Sequence, residues 1–436
     1  MARYLLAASP IPGHVTPMLA IAGDLRRRGH HVRLLTGAAF GETAAAQGIP
    51  SSALAIGATV ARVERPRGRT PSLLRRWRTG RAELRSSFLD PIVAQFRAVT
   101  AELEHTDFDA LFVDVMFTGA IPLLLAGRAR PPVLACGVVP LMLTSVDTPP
   151  FGMGWQPRAG RDYTALNRFV QQVLFRGDQR RLDSILRDLD LGPAPTFLLN
   201  WPVLADRLLQ FTVPGFEYPR SDLPPSVLFA GPIPIDSPGD AQPPSWCSEL
   251  PAGKTVIHVT QGTWDNSDLD QLIRPTLTAM SRRPDVAVVA CTGGSRAPLG
   301  PIPANAYVTD FVPYAHLLPH VDVMITNGGY GGVQQALSRG VPVIVAGDTA
   351  DKPEIASRVT YTGVGIDLGT RRAHPNDVAA AVDRVLNTGK FHTAAAQLAQ
   401  EMTKQAPFEV IADVLVELGA NESVSSAPVS RNGESR

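Results

Sequence analysis

Residues 3–37 set a pattern that the chain later repeats. An apolar run, "RYLLAA", gives way to a loop with two prolines, then to a helical period in "HVTPMLAIAGDLRRRG", then to a second apolar run, "HVRLLTG". Short apolar runs alternating with 3.6-period segments predict parallel β-α-β units, and Gly29 closes the first helix. From Thr255 the order returns in "TVIHVTQGTWDNSDLDQLIRPTLTAMSRRPDVAVVACTG". Two such openings predict an α/β fold of two doubly wound parallel-sheet domains facing one another. Open α/β sheets bind ligands beyond the carboxyl ends of their strands, so the expected site is the cleft between the two.

Between the openings, "AGPIPIDSPGDAQPPSWCSELPAGK" has the proline, glycine and serine content of a linker. We expect a first domain at residues 1–230, a linker at 231–253 and a second domain at 254–395. A helical segment at 396–418 is expected to pack back on the first domain, and the small polar residues of 419–436 to form a flexible tail. Two domains are the ordinary outcome for a chain of 436 residues.

Composition narrows the classes. With 44% hydrophobic and 19% charged residues and a net charge of +1, the chain has no global field to attract nucleic acid. Cys136, Cys247 and Cys291 are few and widely spaced, so neither a disulfide framework nor a metal site is expected. The opening is too short and too polar for a signal peptide, and no apolar stretch reaches the ~18–20 residues of a span. A cytoplasmic protein with no stable membrane insertion is expected, as monomer or homodimer. The arginine-rich stretch at 62–85 reads most simply as a solvated loop and helix face. Attraction to an anionic acceptor or a membrane surface is the alternative.

The densest chemistry lies at residues 325–347. "VDVMITNGG" runs a strand into a glycine turn, and "YGGVQQALSRG" supplies a helix with Gly340 as its C′ residue. A helix amino terminus offers unpaired N–H groups and about half a unit of positive charge. Gly328, Gly329, Gly331 and Gly332 would let an anion lie against that backbone, and a diphosphate is the natural occupant. The plainer reading is a tight turn whose glycines serve packing alone. The run is not a P-loop, and neither opening leads into G-x-G-x-x-G.

"PGHVTPMLAIAGDLRRRGHHV" together with "NGGYGGVQQALSRGVPVIVAGDTADKPEIASRV" resembles the bacterial nucleotide-sugar-dependent glycosyltransferases, in particular those that decorate macrolides, polyketides and phenolics. The resemblance spans nearly the whole chain, most weakly at 50–100 and 145–220. It implies the GT-B arrangement, two Rossmann-like domains across a cleft, with acceptor bound by the first and nucleotide sugar by the second.

Residue by residue, His14 matches the family's catalytic base, and Asp114 the acid that orients it. Asp109 is the nearest rival, but it precedes the apolar "ALFV" run and so lies at the wrong strand end. Asn327, Gly328, Gly329, Tyr330, Gly331, Gly332 and Gln335 match the nucleotide and diphosphate loop. Gly262 and Thr263 match a phosphate contact, and Phe311 and Val312 the segment that holds the base. Asp351 and Lys352 match the donor-sugar positions.

Departures from the family's pattern cluster here. Asn327 stands where histidine is common, Gly332 where Ser or Thr is frequent, Gln335 where many relatives have Glu, and Lys352 where Gln is usual. Lys352 would bind a sugar hydroxyl, reach the phosphate or be solvated. For the acceptor, Leu73, Leu74, Trp77 and Phe88, with Met142 and Phe151 of "PLMLTSVDTPPFGMGW", would wall an apolar pocket, although such residues more often fill cores.

The resemblance therefore implies inverting transfer, without metal or other cofactor, of a hexose such as glucose. The donor would be a UDP-sugar in preference to a dTDP-sugar, and the acceptor a hydroxyl of a lipophilic small molecule. A degenerate nucleotide-binding auxiliary protein and a nucleotide-sugar epimerase on the same fold are the alternatives.

Overall fold

The computed structural model describes residues 1–59, 80–127, 129–235, 250–251 and 253–425. Two parallel sheets organise it. The first, ordered β3-β2-β1-β4-β5-β6-β7, comprises β1 (Arg3–Ala7), β2 (His31–Gly37), β3 (Ser51–Leu54), β4 (Ala110–Asp114), β5 (Val133–Gly137), β6 (Arg207–Gln210) and β7 (Val227–Phe229). The second, ordered β10-β9-β8-β11-β12-β13, comprises β8 (Thr255–Thr260), β9 (Val286–Cys291), β10 (Ala306–Thr309), β11 (Val323–Thr326), β12 (Val343–Val345) and β13 (Gly365–Asp367).

The strands form because their apolar runs can be covered on both faces, the condition for parallel sheet. Every residue of β4 and β5 is buried. The pleat divides β1 between two cores: Leu5 and Ala7 face one cluster with Leu111 and Val113, while Tyr4 and Leu6 face another with Phe112. In each sheet the order reverses once, between β1 and β4 and between β8 and β11. These reversals leave a crevice at the strands' carboxyl ends, where the loops after β1, β4, β8 and β11 emerge.

The longer helices used below are α1 (Pro12–Arg27), α2 (Ile92–His105), α3 (Arg176–Arg187), α4 (Ile273–Met280), α5 (Tyr330–Ser338), α6 (Lys352–Tyr361), α7 (Pro375–Asn387), α8 (Lys390–Met402) and α9 (Pro407–Ser425). In α1, Val15, Met18, Ala22 and Leu25 follow helical spacing and bury against β1 and β4. Pro12 at its first position gives up an N–H that the helix would leave unpaired anyway.

The carboxy-terminal helices divide between the domains. The expected boundary at 395 falls inside α8, whose Ala395, Leu398 and Met402 pack beside Leu337 and Ile355 of the second domain and Val213 and Phe216 of the first. The return is made by α9. Its Ile411, Val414 and Leu418, at i, i+3 and i+7, enter the first domain's core with Leu6, Phe112 and Leu134. Each such buried side chain contributes about 1.5–3 kcal/mol. Arg28 pairs with Glu409 at 2.5 Å, and Arg207 with Glu417.

At the crossing, Gly231 has φ +84°, and a Cβ there would lie 2.4 Å from Cβ of Gln405. The outgoing and returning chains therefore touch. Most of the expected linker, residues 236–249 and 252, and residues 426–436 of the expected tail lie outside the described residues.

Candidate active site

His14 lies in the first turn of α1, and Asp114 ends β4, so the first sheet's order reversal brings together residues 100 apart in sequence. Nδ1 of His14 is 2.8 Å from Oδ1 of Asp114, and both side chains are buried. The carboxylate also accepts the N–H of Met116 at 2.7 Å and that of Ser9 at 2.5 Å. An ionised carboxylate only accepts, so the imidazole proton sits on Nδ1 and the lone pair of Nε2 is free to take a proton. Asp109, at the other end of β4, accepts the N–H of Arg3 at 2.6 Å and is remote from this pair.

Burial pulls the His14 pKa down, but the charge and hydrogen bond of Asp114, with a further contribution from Asp351, lift it above the ordinary value. Asp351 precedes α6 in the opposite domain, and it is raised by burial against the opposing charges of Lys352 and His14. The charge of Asp351 thus acts on His14 from the opposite domain.

Lys352 is buried rather than solvated. Its Nζ donates to Oγ1 of Thr349 at 2.7 Å and lies 3.4 Å from Oδ2 of Asp265. Its stem runs along the glycine turn, 3.7 Å from where a Cβ on Gly328 would be.

The loops after β8 and β11 lie side by side at the second reversal. Asn327 is buried and its Nδ2 donates to the carbonyl of Gln261, so one of its amide hydrogens ties the two loops together. The glycines now separate by reason. Gly328 has φ +87°, and a Cβ would meet Cγ1 of Val345 at 2.7 Å, so the fold itself demands glycine there. Gly329, Gly331 and Gly332 have no contact to a Cβ closer than 3.4 Å. Local packing does not demand glycine at these three; exposed Gly329 leaves the amino terminus of α5 open to a close approach, while the Cβ positions of Gly331 and Gly332 face Ile235 and Met324. Gly262 (φ +68°) and exposed Thr263 flank the same opening.

Two motif residues point elsewhere. Tyr330 turns its side chain into the domain interface, where its hydroxyl accepts from Nε2 of Gln210 at 3.2 Å and its ring meets Phe216. A nucleotide-loop role for Tyr330 is thereby confined to its peptide N–H. Gln335 donates through Nε2 to the carbonyl of Ile233 at 2.9 Å, leaving Oε1 as the atom that could meet a ribose.

Phe311 is 62% exposed, its ring edge 3.4 Å from where a Cβ on Gly294 would be, and Val312 beside it is buried. Such an exposed ring at a sheet's carboxyl edge offers a stacking surface.

Of the expected acceptor wall, Leu73, Leu74 and Trp77 lie outside the described residues. Met142 is buried beside Val115, Val139 and Leu208, lining a small apolar cavity. Phe88 and Phe151 are half-buried against the same core cluster. Sequence reasoning missed a buried ionic cluster at the domain interface, Glu217, Glu354 and Arg358, whose members are 1–4% exposed. Its longest pairing spans 141 positions, and no local pattern marks it. Among the described residues, no helix is long and apolar enough to cross a membrane.

Two facing Rossmann-like domains with an imidazole–carboxylate pair opposite a glycine-lined helix terminus define a GT-B architecture. The glycotransferase of kitacinnamycin shares it, superposing with a TM-score of 0.71 at 20% identity over 96% of this chain and 99% of that one. Residues 276–418 match the family described as erythromycin biosynthesis protein CIII-like, C-terminal domain. The chain is 38% identical to 4'-demethylrebeccamycin synthase of Lentzea aerocolonigenes, over 92% of this chain and 95% of that protein. It is 33% identical to UDP-glycosyltransferase 2 of Phaeomoniella chlamydospora, over 96% of each. The chain belongs to the natural-product branch of the UDP-glycosyltransferase-like family, and it is a glycosyltransferase.

Proposed function

We propose that the protein transfers a hexose, glucose first, from UDP in preference to dTDP onto a hydroxyl of a lipophilic natural product, with inversion and without a metal. The observation that carries this reading is the buried His14–Asp114 pair, whose imidazole Nδ1 lies 2.8 Å from the carboxylate at the carboxyl end of β4. UDP rather than dTDP is favoured by the relative named as a UDP-glycosyltransferase, and a natural-product acceptor by the synthase relative.

In this mechanism Nε2 of His14 takes the proton of the acceptor hydroxyl as its oxygen bonds the anomeric carbon. The bond from that carbon to the diphosphate breaks on the opposite face, so the configuration inverts. The electron pair leaves with UDP, whose growing negative charge meets the N–H groups at the start of α5. Asp114 holds the imidazole tautomer and stabilises the imidazolium. Asp351 accepts hydrogen bonds from the sugar's hydroxyls, and Phe311 stacks on the base.

The test is a mass-spectrometric screen of UDP- and dTDP-sugars against phenols and macrocyclic alcohols, with EDTA present in a parallel set. A product heavier by one hexose, formed from UDP-glucose and unaffected by EDTA, is expected. Transfer from dTDP-sugars alone would overturn the donor assignment. Conversion of the nucleotide sugar without any acceptor would point to an epimerase.

A further inference from the structure

α6 starts beside the cleft at Asp351 and continues along the first domain. On that side Glu354 accepts the N–H groups of Gly152 and Gly154 through Oε1, each at 2.8 Å, and pairs through Oε2 with Arg358 at 2.9 Å. Arg358 holds Glu217 at 2.7 Å, with its guanidinium 4.4 Å from the centre of the Tyr218 ring. Glu217 accepts the N–H of Leu141 at 2.9 Å, and Arg220 donates to the carbonyls of Leu141, at 3.0 Å, and Leu143.

Both arms of segment 140–155, the stretch around Met142 and Phe151, are thus fastened by backbone hydrogen bonds to one cluster. Arg358 and Glu354 of α6 are its members from the other domain. The glycines are shaped for this. Gly152 and Gly154 have φ of +93° and +62°, which converges two N–H groups on one oxygen. A Cβ on Gly154 would also lie 2.9 Å from Cβ of Pro353, so the loop is pressed against the first turn of α6. Buried carboxylate–guanidinium clusters add little net stability but fix geometry when every member is hydrogen-bonded.

We infer that α6 transmits occupancy of the donor site to the acceptor loop, with Glu354 as the positioning residue. Asp351 and Glu354 share the first turn, so a sugar that engages Asp351 immobilises the carboxylate that holds Gly152 and Gly154. Donor binding then orders the acceptor wall, and the acceptor binds more tightly after the donor than before it. This rests on the donor-sugar role proposed for Asp351.

Hydrogen exchange of the full-length chain, with and without saturating UDP-glucose, tests it in wild type, E354Q and G154A. The second variant keeps every charge and strains the loop where it meets Pro353. In wild type, UDP-glucose is expected to slow exchange at both 327–332 and 150–156. In either variant, 150–156 should exchange about tenfold faster and ignore UDP-glucose, while 327–332 remains protected. Wild-type exchange rates at 150–156 in both variants, or a wild-type loop indifferent to UDP-glucose while 327–332 slows, would overturn the link. Absence of protection at 327–332 in wild type would overturn the nucleotide site itself, and the link with it.

Discussion

Asp114→Asn isolates the part of the mechanism that depends on charge. The substitution is isosteric, but Asp114 currently accepts from three donors: His14 Nδ1, Met116 N–H and Ser9 N–H. An amide can accept on one side only. If its oxygen stays beside His14 and Met116, its NH2 faces the Ser9 N–H, leaving a buried donor unpaired at about 1–3 kcal/mol. If it turns, NH2 faces His14 and forces the proton onto Nε2, the nitrogen proposed as the base.

Either arrangement removes the charge that stabilises the imidazolium. A positioned base contributes about 10²–10⁴-fold, so kcat should fall by about that factor while UDP affinity stays within about threefold. The pH profile supplies the sign. The base works when neutral, so the rate rises with pH through the His14 pKa, which Asp114 and Asp351 hold above its usual value despite burial. In Asp114→Asn burial prevails and the acid limb moves to lower pH, so the variant is fully deprotonated at neutral pH and still slow. Single-turnover transfer across pH, read by mass spectrometry, measures both effects. A variant that keeps more than about a tenth of wild-type kcat with an unmoved limb would refute the role of Asp114.

The glycines should part company under substitution. Gly328→Ala meets Val345 at 2.7 Å in a left-handed conformation, and thermal unfolding should show a loss of about 1–3 kcal/mol. Gly329→Ala, at φ −64°, should keep stability within about 1 kcal/mol yet weaken UDP at least about tenfold by calorimetry. Phe311→Ala should leave the melting temperature unchanged, because the ring is exposed, and weaken UDP about fivefold or more through lost stacking. Arg358→Met strands two buried carboxylates and should cost about 3–5 kcal/mol in denaturant unfolding.

The strand–helix order and the two openings were legible from local patterning, whereas the His14–Asp114 pair came from the family resemblance, with the strand-end rule choosing Asp114 over Asp109. The side chains of Tyr330 and Gln335 were not legible. Their neighbours, Gln210 and Ile233, come from the first domain and the start of the linker, more than 100 positions away. The motif fixed where their backbone lies but not where their side chains turn. The boundary at 395 falls inside α8, a helix that touches both domains. Both α8 and α9 carry apolar residues at helical spacing, and that spacing alone does not say which core each one enters. In the glycine cluster the packing reading holds at Gly328, while exposed Gly329 leaves room for the proposed anion.

Where Gly231 passes Gln405, the peptide going out and the peptide coming back share one narrow edge of the molecule. Two strands of chain at a single edge behave as the spine of a book does. The covers are also clasped by Glu217, Arg358 and Glu354, so parting them strains that cluster first. Any widening that admits a bulky aglycone must therefore be greatest at the rim opposite this spine. A bond engineered across that far rim would arrest turnover, whereas one placed at the spine would leave it almost untouched.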